Sequence, residues 1–290
     1  MSKKTATKPG TELTVKNATA LAVQAANVPS FLAGYKGVTG TEGIEAADVT
    51  IPRVKIGQSM SDEVKSGDLK EGTLFLNVGA EVLAEPGKPL NVVLVARAKE
   101  YILWRPRKDN NGGILARARP VKTPDGVRYA WDKPNTSFEV KVEGKTKVTW
   151  KTGVYVDDND IAEWGSEIPG DKESGIAATL HYNFVVMLPD FDNMLAALSM
   201  SRTAVGPAKD WNEMLKRKSN VPIFARKFAV VSVDDNRGDD KFKNFKVTPE
   251  GFVDEADFNA VYKPAGLAFA DKYINVDHSD GEEASSDERL

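Results

Sequence analysis

The chain has 290 residues, with 39 Lys+Arg against 42 Asp+Glu, two His and no Cys. Those counts exclude a disulfide framework, a thiolate zinc site, an Fe–S cluster and a cysteine nucleophile; His181 and His278 alone leave almost nothing for a histidine metal site, so no cofactor or metal is expected. Residues 1–10 carry no apolar stretch of signal-peptide length, and no run reaches the roughly 18 apolar residues of a membrane span, which points to a soluble, cytoplasmic protein.

Residues 1–45 are rich in Thr, Ala, Gly and Lys and include the Gly-laden stretch GYKGVTGTEG at 34–43, so they read as a mobile arm with at most one short helix. Strand signals then begin. Segments 49–57 (VTIPRVKIG), 72–78 (GTLFLNV) and 90–104 (LNVVLVARAKEYILW) are rich in β-branched and aromatic residues and bounded by Gly or Pro. Segments 127–131, 138–142 and 147–156 alternate around turns such as Thr123-Pro124-Asp125-Gly126 and Glu143-Gly144. The run 176–188 (IAATLHYNFVVML) is nearly all apolar, and its Thr, Tyr, Phe and Val content favours a buried strand over a helix. A hairpin-like spacing leads on to 194–200. Helices are expected at 209–218, where Trp211, Met214 and Leu215 share a face, and at 254–273, broken by Pro264-Ala265-Gly266. Strands at 223–233 and 242–247 lie between them. With no βαβ alternation and no fixed-period repeat, residues 46–274 are predicted to be mainly β: an OB-like β-barrel with long insertions plus two or three helices, α+β overall.

The net charge of −3 is a cancellation. Residues 97–151 hold 14 Lys/Arg against six Asp/Glu, a net of +8; 152–200 hold nine acids and one base, Lys172, a net of −8; 201–246 hold 11 bases against six acids, a net of +5. Residues 275–290 (NVDHSDGEEASSDERL) form an acidic tail of net −5 that reads as disordered, with Asp277, Asp280, Glu282, Glu283, Asp287 and Glu288 against Arg289.

Sites of chemistry are scarce. There is no phosphate-cradling G-x-x-x-x-G-K-[ST], no G-x-S-x-G elbow and no H-E-x-x-H, and 157–160 (DDND) lacks the glycine and terminal Glu of a calcium loop. One loose pattern, Pro124-Asp125 followed by Glu139-Val140-Lys141, has the form used by Mg²⁺-dependent nucleases, in which Asp125 and Glu139 would hold the metal and Lys141 would orient a water. The alternative is two charged hairpins, with Asp125 in a Pro-Asp-Gly turn. A third class is a virion or assembly protein whose β-rich body packs against copies of itself.

The interleaving of cations with aromatic rings is the stronger signal. Tyr101 and Trp104 precede Arg105, Arg107 and Lys108; Arg117, Arg119, Lys122, Arg128, Tyr129, Trp131 and Lys133 follow, then Lys147, Trp150 and Lys151. Single-stranded nucleic acid is held by this mixture, cations along the phosphates and ring faces under the bases, with no demand on base identity. Each tryptophan taken alone is as readily a core residue with cations lying over it; the set, at a local +8, favours nucleic-acid contact. Tyr101, Trp104, Arg105, Arg107, Lys108, Arg117, Arg119, Trp131 and Trp150 are the candidate contacts, with Lys209, Lys216, Arg217 and Lys218 as outlying phosphate contacts.

A basic, β-rich body followed by an acidic tail resembles the single-stranded DNA-binding proteins of tailed phages and bacteria. So does the order of VTIPRVKIGQSMSDEVKSG (49–67), EYILWRPR (100–107) and SMSRTAVGPAKDWNEML (199–215). The likeness covers roughly 50–253 and the tail. It implies an OB barrel, no catalysis, a role in phage replication or recombination, and a tail that recruits replication partners and competes with DNA for a cationic groove. Many such tails end in an aromatic residue after the acids; this one ends Asp287-Glu288-Arg289-Leu290, leaving Leu290 to fill a partner's apolar pocket.

Overall fold

Leu90–Trp104, here β4, holds the fold together. At 15 residues it is longer than any single neighbour can pair on both edges. In the computed structural model, which describes residues 51–105, 113–142, 145–269 and Val276, all within the unit Thr50–Leu290, β4 runs beside β9 (Ala178–Leu188) over most of its length. Its other edge is shared. Residues Leu90–Val93 pair with β11 (Arg226–Arg237), and Tyr101–Trp104 pair with β5 (Ile114–Thr123). A bulge at Val95, between Leu94 and Ala96 in the pairing with β9, separates the two halves.

The seven-stranded antiparallel sheet is ordered β10-β9-β4-β11-β12, with β5 branching from β4 and β6 (Gly126–Trp131) from β5; β10 is Met194–Ser201 and β12 is Asp240–Phe252. A three-stranded sheet of β1 (Val54–Ile56), β2 (Leu74–Leu76) and β3 (Val82–Ala84), with the one-turn helix α1 (Asp62–Lys65) between β1 and β2, and a hairpin of β7 (Ser137–Val142) and β8 (Lys145–Lys151), complete the strands. The protein is mainly β and α+β overall, as the sequence indicates. Correcting the expected barrel, the described sheets are not closed: no pairing joins β10 to β12.

Each edge is satisfied in another way. Ala197 of β10 donates its N–H to the carbonyl of Pro52. On β12 the Gln58 amide brackets Lys243, donating to its carbonyl at 2.8 Å and accepting its N–H at 2.9 Å. Pro249, on that same edge by alternation, has no N–H to offer, so neither edge is an open template for another strand.

Alternation divides the apolar residues between both faces of the sheet. Leu90, Val92, Leu94, Phe184, Val186, Leu198, Phe228 and Val230 turn to one face, where they meet helix α2 (Val205–Arg217) and the three-stranded sheet. Trp211 of α2 stacks on Phe184, ring centroids 4.2 Å apart. On the other face Val93, Val95, Val185, Met187 and Ala197 pack with Tyr262. Tyr262 belongs to a continuous helical stretch of Glu255–Asp257, the π turn Phe258–Tyr262, and Lys263–Ala268. Pro264 does not break this stretch as expected; it falls directly after the π turn Phe258–Tyr262, where the change of hydrogen-bonding pattern accommodates a residue without an N–H. Gly266 packs so closely on the Phe224 ring that no Cβ fits between them. A separate core joins Leu103, Leu115, Ala118, Trp131, Trp150 and Ile161 beneath β5–β8.

The C-terminus of α2 is closed by a buried arginine from the next strand. Arg226 donates through Nη1 to the Leu215 carbonyl at 3.0 Å, and through Nη2 to the carbonyls of Val221, at 2.8 Å, and Lys218. It thus adds a charged donor to carbonyls at and just beyond the last turn, and places a cation at the negative end of the helix dipole. Replacing Arg226 with Ala strips the charged donor from all three carbonyls, of which those of Leu215 and Lys218 keep a backbone N–H, from Lys218 and Val221, at about 1–3 kcal/mol for each lost hydrogen bond. The variant is expected to lose about 3 kcal/mol or more of unfolding free energy in a urea titration, with Arg226→Lys recovering only part of it. An unchanged midpoint for Arg226→Ala would show that the cap is dispensable.

Candidate nucleic-acid interface

Beyond the bulge at Val95, odd-numbered residues of β4 turn to the α2 side of the sheet and even-numbered residues to the other side. The register carries this division into the neighbours. Lys99 faces Tyr182 of β9, Tyr101 faces Ala118 of β5, Ala118 faces Trp131 of β6, and Pro120 faces Tyr129. On one face this gathers Arg97, Lys99, Tyr101, Tyr129 and Tyr182.

The tyrosines surround the lysine. Lys99 Nζ lies 5.4 Å from the centroid of the Tyr129 ring and 5.2 Å from that of Tyr182, and Tyr101 meets Tyr129 edge-on at 5.0 Å. All four side chains are half-buried, with Tyr182 packed on the core under α2 and Tyr101 and Tyr129 on the core under β5–β8. Burial draws the Lys99 ammonium down, but the hydrogen bond from Lys99 to Tyr129 and the surrounding phenols outweigh it, so the group stays charged above the ordinary lysine range. Burial likewise pushes the Tyr101 phenol up, against the pull of Lys99.

The patch extends in two directions. Exposed Arg97 donates to Asn212 Oδ1 of α2 at 2.9 Å; Lys209 and Lys216 flank Asn212 at helical spacings of three and four and are also exposed. Toward the β5–β6 tip, exposed Lys122 faces exposed Val127 on the side that carries Tyr129. Cations and aromatic rings therefore alternate from the hairpin tip, across β4 and β9, to the exposed side of α2.

The opposite face is a buried polar network. Glu100, 2% exposed, accepts hydrogen bonds from Arg117 at 3.3 Å and from Asn183 Nδ2 at 2.7 Å. Trp104 Nε1 donates to Thr179 at 2.8 Å; Thr179 meets His181 at 3.0 Å, and His181 meets Ser199 at 3.2 Å. Arg119 lies on this side as well.

The sequence-predicted residues are thus divided. Of the ring candidates, Tyr101 belongs to the half-exposed cluster, whereas Trp104 and Arg117 are committed to the network behind it. Trp131 and Trp150 are 4% and 2% exposed, and Trp150 Nε1 donates to the Ser166 carbonyl. No base can stack on either ring without opening the core, which removes both from the candidate surface. Arg105 is exposed at the end of β4, and Arg107 and Lys108 lie outside the described residues. Arg217 pairs with Glu213, and Lys218 lies 5.2 Å from the Phe252 ring, so these two turn away from the Lys209–Lys216 stripe. The tail residues Asp277, Asp280, Glu282, Glu283, Asp287, Glu288 and Leu290 also lie outside the described residues. Asp125 is at the β5–β6 tip and Glu139 in β7, on separate hairpins, while the Lys141 side chain is outside the description. Among the described residues no group of three or more acids or His is placed to hold a metal, and no helix is long and apolar enough to cross a membrane.

Part of the basic stretch is spent on the acidic one. Arg128 stacks 3.9 Å over the Tyr155 ring and donates to Asp157 at 3.0 Å and Asp158 at 2.8 Å. The Arg128 hydrogen bond holds the Asp157 carboxyl below its usual value; Asp158 is held down first by the Tyr155 N–H, with help from Arg128 and the Val154 N–H. Carboxyls depressed in the folded state contribute stability above their unfolded pKa, roughly 3.9, and lose it as the pH falls through the lower folded value. The melting temperature of Arg128→Ala is accordingly expected to fall below wild type near neutral pH, with the gap closing below about pH 4. A gap of constant size across that range would assign the loss to packing on Tyr155 alone.

Tryptophan exposure provides a second check. Trp131, Trp150 and Trp211 are buried, Trp104 is half-buried, and Trp164 is 60% exposed. Trp164→Phe should abolish most of the acrylamide-accessible fluorescence, whereas quenching as strong as wild type would contradict these burials.

The chain belongs to the Pam3 phage gp34-like protein family, which matches residues 18–266, and is on that ground a phage protein. No curated protein and no solved structure matches it.

Proposed function

We propose that the protein binds single-stranded DNA without sequence preference and without catalysis, protecting it in the host cytoplasm during phage replication or recombination. The supporting observation is the half-exposed cluster of Tyr101, Tyr129 and Tyr182 around Lys99, continued by Arg97 and the Lys209–Lys216 stripe. Bases would stack on the phenol rings while phosphates meet the cations, and neither contact selects a base. The acidic tail would compete for the same cations and, once displaced, be available to a replication partner.

An anisotropy titration with labelled oligo-dT tests this. Binding is expected at low salt, weakening with a log–log slope near −0.7 for each phosphate neutralised. Tyr182→Leu should cost about 1–3 kcal/mol, roughly 5- to 150-fold in affinity, while Lys99→Ala should lower both affinity and salt slope. Removing 275–290 should tighten binding at low salt. Absence of binding at low salt would overturn the proposal, and cleavage of the strand on adding Mg²⁺, lost in Asp125→Asn, would replace it with a nuclease.

A further inference from the structure

Trp164 is the most exposed large hydrophobic side chain in the acidic stretch, and the loop that carries it is tightly fixed. Gly165 donates its N–H to the carbonyls of Ser174 and Gly175, and the Glu167 N–H bonds Gly175 again. Ser166 Oγ donates to the carbonyls of Ile161 and Glu163 and accepts the N–H of Ala177, while its carbonyl takes the Trp150 indole. Gly165 has φ of +87°, and a Cβ there would press on the Lys172 backbone at 3.1 Å, so glycine is required for this turn. The indole is therefore presented by a preorganised loop, the condition under which an aromatic contributes most to an interface. Around it in the chain stand exposed Asp160, Glu163 and Glu173, and exposed Val154. Exposed Lys172 stands beside these acids, and the surface is acidic on balance, so phosphate is repelled from it and a cation is drawn to it.

The same chain carries a complementary surface. At the end of α2, Lys216, Arg217 and Lys218 are exposed, and Lys218 lies 5.2 Å from the ring of Phe252, itself 48% exposed. We infer that the Trp164 loop docks the α2 end of a second copy, with Trp164 against Lys218 and Phe252 and with Asp160, Glu163 and Glu173 facing Lys216 and Arg217. The contact is taken as head-to-tail, one copy's loop on the next copy's helix end, which adds copies in series. The contact needs no strand, and it shares Lys216 with the proposed nucleic-acid surface.

Sedimentation velocity of the full chain without nucleic acid tests it. The weight-average mass should grow past dimer with concentration at low salt and fall to monomer at about 0.5 M salt, where exposed charges are screened. Trp164→Ala and Lys218→Glu should each weaken association by about tenfold or more, and Trp164→Ala should keep the melting temperature because its indole is exposed. The double variant Glu163→Lys/Lys218→Glu, which exchanges the charges between the two surfaces, should recover part of it. A wild type that stays monomeric at low salt, or an association untouched by Trp164→Ala, overturns the inference. So does an association abolished by removing 275–290, which would make the tail the acidic partner.

Discussion

A carboxylate that is 2% exposed has to be neutralised, and Glu100, in the second half of the longest strand, is that carboxylate. Its partners come from both neighbours, Arg117 from β5 and Asn183 from β9. The buried ion pair is a constraint on register more than a source of stability, since slipping either neighbour by one residue would strand a charge inside the protein. With Glu100, Arg117 and Asn183 turned to one face, period-two alternation leaves Lys99, Tyr101, Tyr129 and Tyr182 no choice but the other. The polar network and the aromatic cluster are two sides of one arrangement.

Pro120 shapes the cluster further. The pairing of β4 with β5 ends at Tyr101–Ala118, and Pro120, two residues on, has no N–H with which to continue it. Beyond that point β5 and β6 continue as a two-stranded ribbon. The halves of β4 thus serve different cores, one under α2 and one under β5–β8. Lys99 and its tyrosines lie between them and are covered fully by neither, which is why they are half-buried. A surface of this kind needs two cores, and one closed barrel would have given all inward-facing residues the same interior.

Most strands were legible in the sequence because β-branched and aromatic runs between turn residues leave few alternatives; β4, β9, β10 and α2 fall close to where alternation and helical spacing put them. β5 leaves no strand signal in the sequence, since Ala116 and Ala118 are too small to mark a core face and Arg117 and Arg119 read as surface. The tryptophans show a second limit. Alternation says that Trp150 and its flanking lysines point oppositely, but not which side is inside; packing beneath β5–β8 decides that. Tyr182 was out of reach for another reason, because only the β4–β9 register sets it opposite Lys99. The shared face of Arg97, Lys99 and Tyr101 was available from spacing alone.

The charge pattern has a comparable lesson. A stretch of +8 beside one of −8 does not give a free basic surface and a free acidic one, because Arg128 is held by Asp157 and Asp158, and Arg117 by Glu100. Lys99 is held by rings rather than by a carboxylate, and its setting bears on how the proposed complex would form. Lys99 lies over two half-buried rings, at about 0.5–1 kcal/mol or more from each, and also bonds the Tyr129 hydroxyl, so what holds the ammonium is comparable to the roughly 1.5–3 kcal/mol of a hydrogen bond between charged groups. In the proposed complex a phosphate would compete with Tyr129 and Tyr182 for the ammonium, and the ring faces it leaves would be the ones the adjacent bases need. On this reading one displacement converts a self-satisfied cluster into both halves of a binding site, and the phosphate contact and the stacking contact form together.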